Sequence, residues 1–235
     1  MRFLDKLVKN SLKGVGIHVS RIVKQPTPLA YHGIELLLDV GANIGQYAMS
    51  TRLEGYRGTI VSFEPLPDAY ETLTDNSRKD TLWTVHPRCA VGSKPGVAEI
   101  NISKDSYASS LLPILQTHIA AAPNSVFIGK AKTDVITLDS VFDSYRKNAE
   151  KTFLKIDTQG FEAEVLEGLS KNIQNIFSVQ LELSIVPLYD NQALYPYVFT
   201  FFEQHGFLLW SLIPGTANTS TGQLLQFDAV FDRSN

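Results

Sequence analysis

Leu36-Leu37-Leu38-Asp39-Val40-Gly41-Ala42-Asn43-Ile44-Gly45 decides how this chain is read. An apolar run of this length, with one acid near its end, reads as a buried strand. Gly41 and Gly45 then supply the sharp turn that opens a helix over Gln46 to Leu53. A second apolar run, Thr59 to Phe63, ends at another acid, Glu64. Strand, glycine turn, helix, strand and terminal acid form the layout of a nucleoside-binding α/β unit. The residue types suit that task. Glycine lets a ligand approach the backbone, and a carboxylate can accept hydrogen bonds from both hydroxyls of a ribose.

The glycine spacing narrows the choice of ligand. A dinucleotide site carries G-x-G-x-x-G and seats its pyrophosphate on the helix N-terminus. Here Ala42, Asn43 and Ile44 separate the two glycines, which is less glycine than such a cradle needs. Asp39 beside the turn would repel phosphate and favour a ligand bearing an ammonium or sulfonium. S-adenosylmethionine carries both cations and a ribose, but no phosphate. The plain alternative is an ordinary strand–turn–helix corner with a capping Asp.

Strand and helix keep alternating downstream. Asp68 to Lys79 reads as a helix and Leu82 to Val85 as a third strand. Cys89 to Val91 and Val97 to Ile102 flank a Ser-Lys-Pro-Gly turn and suggest a hairpin. Lys104 to Lys130 has no clear period and reads as a long functional loop, a candidate lid. A short helix is expected over Ile136 to Phe142, then a strand over Phe153 to Ile156 that ends at Asp157. Gly160 precedes a helix over Phe161 to Leu169, and Phe177 to Leu183 reads as a strand with Glu182 near its end. Tyr197 to His205 reads as a helix, followed by Phe207 to Leu212 and Leu225 to Phe231 as a closing antiparallel pair. This order predicts a doubly wound α/β sheet, mostly parallel, with one reversed strand. Ligands bind such sheets beyond the carboxyl ends of the strands. Asp39, Glu64, Asp157 and Glu182 all fall near such ends.

Composition bounds the rest. With 235 residues, 44% of them hydrophobic and 19% charged, the chain has the profile of a globular protein. The expected division is a helix and linker over residues 1–33 and one domain over 34–235. Cys89 is the single cysteine, which excludes an intramolecular disulfide and fits a reducing, cytoplasmic setting. Asp5, Lys6, Lys9 and Asn10 interrupt any apolar core at the start, so no secretory signal is expected. Net charge is −3, split between +5 over residues 1–25 and −8 over the remainder. An acidic body does not suit a nucleic-acid partner. Phe3, Leu4, Leu7, Val8 and Leu12 recur at helical spacing beside the basic residues. Residues 1–25 thus read as a basic amphipathic helix, able to touch a membrane surface, the domain itself or a partner subunit. Gln25-Pro26-Thr27-Pro28 reads as the hinge behind it.

Several segments then carry a resemblance. Asp39 to Gly45 (DVGANIG), Phe63-Glu64-Pro65, Thr137-Leu138-Asp139 and Leu154 to Glu162 (LKIDTQGFE) resemble signatures of the FkbM family of S-adenosylmethionine-dependent methyltransferases. Val165 to Gly168 and Leu181 to Ser184 resemble two more, and the likeness runs from about residue 35 to the C-terminus. It implies a Rossmann-like class I methyltransferase fold with a mostly parallel seven-stranded sheet. It also implies methyl transfer to a hydroxyl of a sugar, glycan or related small metabolite. On the matching positions, Asp39, Gly41, Asn43 and Gly45 would hold the methionine part of the cofactor, and Glu64 its ribose. Ala90 would lie near the adenine, and Ser109 and Ser110 would close over the cofactor. One departure is visible: the family often has Asp-x-Glu-Gly where this chain has Asp157-Thr158-Gln159-Gly160. Glutamine keeps hydrogen-bonding capacity there but loses a charge.

A sugar hydroxyl is a poor nucleophile, so a base must take its proton as the new bond forms. Asp157 is the first candidate, as base or as the group that orients the acceptor. Glu162 could orient or replace it, or could simply be a first-turn acid favoured at a helix N-terminus. His118, in the long loop, has a suitable unperturbed pKa. Asp157 and Glu182 could offer a divalent cation two oxygen ligands, but the spacing supplies no third, and no metal is expected. Tyr107, Tyr189, Tyr195 and Tyr197 could stack on sugar rings or simply pack. Two other readings stay open: a non-catalytic S-adenosylmethionine-binding or partner-binding scaffold, and a nucleotide-dependent oxidoreductase.

Overall fold

A computed structural model of the chain describes residues 27–233, and the amphipathic segment read over residues 1–25 lies outside them. Apolar, β-branched runs become strands where each can bury both faces. The first three, β1 (Leu36–Val40), β2 (Thr59–Phe63) and β3 (Trp83–Val85), pair in parallel. The next three, β4 (Cys89–Val91), β5 (Gly96–Ser103) and β6 (Phe127–Ile136), leave to build a separate three-stranded sheet. The chain then returns through β7 (Thr152–Ile156), β8 (Ile176–Ser184), β9 (Phe207–Pro214) and β10 (Gln226–Arg233). The main sheet has seven strands in the order β3-β2-β1-β7-β8-β10-β9. Only β10 is reversed, antiparallel to both β8 and β9. The sheet expected from the sequence is therefore the one observed.

Helices fill the crossovers. They are α1 (Pro28–His32), α2 (Gln46–Leu53), α3 (Pro67–Ser77), α4 (Gln116–Ala121), α5 (Leu138–Arg146), α6 (Glu162–Glu167) and α7 (Tyr195–Gln204). Thr27 and Pro28, read as part of a hinge, instead start α1: the Ala30 backbone N–H donates to Thr27 Oγ1, and Pro28 sets the first helical φ. The hairpin expected between Cys89–Val91 and Val97–Ile102 does not form. β4 pairs parallel and β5 antiparallel with β6, which lies between them, and the turn residues only redirect the chain. The 104–130 stretch is also more ordered than its composition suggests. It contains 3-10 turns at Ser106–Ala108 and Pro123–Ser125, the helix α4, and the start of β6. The helix expected from Ile136 starts two residues later, because Thr137 accepts from the Ser140 backbone N–H as its N-cap.

Alternation along β1 distributes its side chains to two cores. Leu36, Leu38 and Val40 pack with Phe63, Leu154 and Ile156, while Leu37 packs with Ile60, Phe153 and Val230 on the opposite side. Each fully buried side chain of this size contributes about 1.5–3 kcal/mol. Among the described residues no helix is long and apolar enough to cross a membrane.

One close approach fixes the small sheet against the large one. A Cβ on Gly168, just past α6, would overlap the carbonyl oxygen of Gly92 at the end of β4. Gly168→Ala should therefore destabilise the protein by about 1–3 kcal/mol, read as a lower midpoint in urea unfolding. An unchanged midpoint would show that the two segments are not in contact.

Candidate active site

The strands β1, β2 and β7 end side by side, and their loops are tied across. The backbone N–H groups of Gly41 and Ala42 both donate to the Phe63 carbonyl at 3.0 Å, and that of Asp157 donates to the Val40 carbonyl at 3.0 Å. Gly41 takes φ +78°, and a Cβ there would overlap the Asp157 carbonyl oxygen. Glycine is thus required by the meeting of two loops. Beyond these ends lies a cleft of about 840 Å³, counted to its open mouth, with Gly41, Asn43, Glu64, Ala90, Asp157 and Glu182 in its wall.

Glu64 is almost fully buried, and both of its oxygens are engaged. Oε2 accepts from the Asn43 backbone N–H at 2.7 Å and Oε1 from that of Leu66 at 2.8 Å. Burial pushes its pKa up to about 7 against the pull of those two donors. Each oxygen retains acceptor capacity for a diol. Asn43 sits at φ +48° and its side-chain amide donates to Ser106 Oγ at 3.1 Å, joining the β1 turn to the 104–112 segment.

The far wall is a carboxyl cluster organised by Gln159. The Gln159 Nε2 donates to Asp157 Oδ1 at 2.8 Å and to Glu182 Oε2 at 2.7 Å, while Tyr189 OH lies 3.0 Å from Gln159 Oε1. Glu182 Oε2 also accepts from Gln226 Nε2 at 2.7 Å; Oε1 has no hydrogen bond to another described residue. Burial, with the nearby Asp157 charge, pushes Glu182 up to about 8. Behind them Lys155 Nζ reaches Asp157 Oδ2 at 3.3 Å and Asp228 Oδ1 at 3.5 Å. Burial would lower the Lys155 pKa, but Asp157, Asp228 and Glu182 outweigh it and hold the ammonium charged. A second hollow of about 710 Å³ opens on the other side of this wall, with Tyr107, Gln159 and Glu182 common to both.

The residues singled out in the sequence fall in three places. Gly41, Asn43, Glu64, Ala90, Ser109 and Asp157 line the cleft. Asp39, Gly45, Ser110 and Glu162 do not line it. Asp39 is enclosed within the sheet, where it accepts from Ser62 Oγ at 3.3 Å and burial pushes it up to about 7. It lies on the Leu37 side of β1, away from Val40. Gly45 is needed for packing, since a Cβ there would meet the Trp83 ring at 2.7 Å. Ser110 Oγ donates to the Gln159 carbonyl at 2.6 Å. Glu162 is likewise enclosed, with Oε1 accepting from the backbone N–H groups of Thr158 and Gly160 and from Thr158 Oγ1. Its place in the first turn of α6 lets it hold the Asp157–Gly160 loop, and burial pushes its pKa up to about 7. His118 lies in α4 and lines the second hollow. Tyr189 is fully buried and cannot stack on a ligand at the mouth; Tyr107 borders both hollows.

Lys155 and Gln226 were not singled out from the sequence. Lys155 had a signal, a lone charge inside the apolar strand run Thr152-Phe153-Leu154-Lys155-Ile156. Gln226 had none, because its place beside Glu182 depends on β10 being inserted next to β8.

A mostly parallel seven-stranded sheet with one reversed strand, bearing such a cleft at its carboxyl edge, is the architecture of a class I methyltransferase. Residues 39–209 match the family described as the methyltransferase FkbM domain, and the chain belongs to that family. Its cofactor is S-adenosylmethionine. The chain is 28% identical to the hexuronic acid methyltransferase AglP of Haloferax volcanii over 63% of its own length and 56% of that protein's. It is 32% identical to the 31-O-demethyl-FK506 methyltransferase FkbM of Streptomyces tacrolimicus over 32% of this chain and 31% of that one. It thus spans from just under a third to a little over half of these relatives. Among solved structures it aligns with a precorrin-6y C5,15-methyltransferase from Geobacter metallireducens at 13% identity, covering 86% of this chain and 81% of that one, with a TM-score of 0.44. The donor set fits the cofactor. Glu64, Asp157 and Glu182 line the cleft, and among the described residues no Lys or Arg does. That wall suits an ammonium and a sulfonium, and would oppose the phosphates of a dinucleotide.

The buried acids set a pH dependence. Asp39, Glu64 and Glu162 are raised to about 7 and Glu182 to about 8, from ordinary values of 3.8 and 4.5. Between those limits the folded chain holds more protons than the unfolded one, so stability falls as pH rises. His86 and His118, lowered by burial, act in the opposite sense, but only below their ordinary 6.5. From about pH 6.5 to about pH 8.5 the acids therefore decide, and the Tm of the cofactor-free protein should fall by several degrees. A flat or rising Tm across that interval in differential scanning calorimetry would contradict the burial of these carboxyls in solution.

Proposed function

We propose that this protein is an S-adenosylmethionine-dependent O-methyltransferase acting on a hydroxyl of a sugar, glycan or related small molecule. The observation that carries the reading is the wall shared by the two hollows, where Glu182 borders both and keeps Oε1 free. The relative named as a hexuronic acid methyltransferase supports a carbohydrate acceptor.

The division of labour follows from the hydrogen bonds. Glu64, at the end of β2, takes the ribose hydroxyls, and Gly41 and Asn43 accommodate the methionine part in the β1 turn. Ala90 borders the adenine, and Ser109 with Ser106 closes the cleft from the 104–112 segment. Asp157, held between Lys155 and Gln159, faces the positive end of the cofactor. When bound, the cofactor supplies an electrophilic methyl group whose sulfur departs as a neutral thioether. Glu182 acts as the base: Oε1 accepts the hydroxyl proton as the oxygen forms its bond to the methyl carbon. A carboxyl raised to about 8 is a much stronger base once ionised than an ordinary one. Glu162 is a positioning residue, because it holds the loop that carries Asp157 and Gln159. His118, held neutral by burial, faces the acceptor side.

Calorimetric titration with S-adenosylmethionine and S-adenosylhomocysteine should give micromolar binding, with none for NAD⁺. Glu64→Ala should weaken that binding at least about tenfold; unaltered affinity would sink the ribose assignment. Glu182→Gln should leave cofactor affinity close to wild type and lower kcat by about 10²- to 10⁴-fold. The acidic limb of the wild-type rate profile, which rises as the base ionises, should flatten in that variant. A variant that keeps both its rate and its limb would place the base elsewhere.

A further inference from the structure

The second hollow allows the acceptor's charge to be read, an inference that rests on the methyltransferase assignment above. Its charged lining consists of two acids, Asp105 and Glu182; no Lys or Arg borders it among the described residues. Lys155, behind that wall, is buried and bound to Asp157 and Asp228. An anionic ligand would therefore set its charge beside two acids with no Lys or Arg on the same lining, and would oppose the ionisation that Glu182 needs to act as the base.

Neutral hydrogen-bonding groups, in contrast, are available. The side-chain ends of Tyr107, Asn124 and Thr216 have no hydrogen bond to other described residues, and all three border the hollow. His118 borders it too; only 5% of that residue is exposed, and Nδ1 has no hydrogen-bond partner. A ring hydroxyl can both donate and accept, so it can satisfy a neutral imidazole, an amide and a phenol in turn. The half-exposed ring of Tyr107 offers a flat apolar face for the C–H side of a pyranose.

We propose that the acceptor unit seated in this hollow is an uncharged, hydroxyl-rich sugar, and that sugars carrying a carboxylate are selected against. The acid wall excludes the anion, and the unpartnered neutral groups recognise the hydroxyls.

The test uses the full chain with S-adenosylmethionine labelled in its methyl group and matched acceptors, methyl glycosides of neutral hexoses against those of the corresponding hexuronates. Saturation-transfer NMR on the same panel, with S-adenosylhomocysteine bound, reports binding where turnover is slow. Neutral sugars should be bound or methylated at least about tenfold better than their uronate partners. Asn124→Lys, which adds a cation to the hollow, should move that ratio toward the uronates. Preference for the uronates by the wild type, or no binding of any neutral sugar while the cofactor binds, would overturn the proposal and leave the methyltransferase reading standing. Failure of the cofactor itself to bind in the titration above would remove both.

Discussion

The ammonium of Lys155 is the charge on which the carboxyl edge of this sheet depends. It is enclosed in the middle of β7, with Asp39 on the neighbouring strand, Asp157 two residues ahead and Asp228 across β10. Without it, several carboxyls would share a low-dielectric space with only amides and hydroxyls for company. Removing one member of such a buried set costs about 3–5 kcal/mol, because the partner left behind keeps its desolvation penalty. The cation therefore permits an acid-rich wall to exist beside the cleft proposed for a cationic cofactor.

The same residue belongs to a polar row that crosses four strands. Register places Ser62 of β2 beside Asp39 of β1, Asp39 beside Lys155 of β7, and Lys155 beside Gln180 of β8. Trp83 Nε1 donates to Ser62 Oγ at 3.0 Å from one end, and Tyr47 OH donates to Gln180 Oε1 at 2.9 Å from the helix above. A buried polar row costs stability if any member is unpaired and specifies one arrangement when all are satisfied. It also locks register, since a slip of one residue on any strand would turn its polar side chain into the opposite core. The loops that form the cofactor cleft start from those fixed strand ends.

Much of this was legible in the sequence, and the reasons differ by element. β1, α2 and β2 were readable because period, glycine placement and terminal acid agree over one short stretch. The reversed β10 followed from a closing strand pair with a turn-rich loop between. The three-stranded sheet was not readable, since β4 and β6 are separated by more than thirty residues and nothing local signals that β6 inserts beside β5. At the site, Gly41, Asn43 and Glu64 could be named because the β1 turn has a local signature. Asp39 could be placed near a strand end from sequence, but only the pleat shows that it faces away from the cleft. Glu182 was legible as a strand-end acid, while its amide partners come from segments 23 and 44 residues away.

Gln159 does one job that its acidic counterpart could not do in the same state. Its amide carries two N–H bonds to two carboxyls at once, from a backbone at φ +54°. A glutamate there would have to borrow a proton to make even one of those bonds. Exchanging the two residues alters the proton inventory of the pocket while leaving its shape nearly constant. Position 159 thus sets how many protons this carboxyl wall holds, independently of the backbone that carries it.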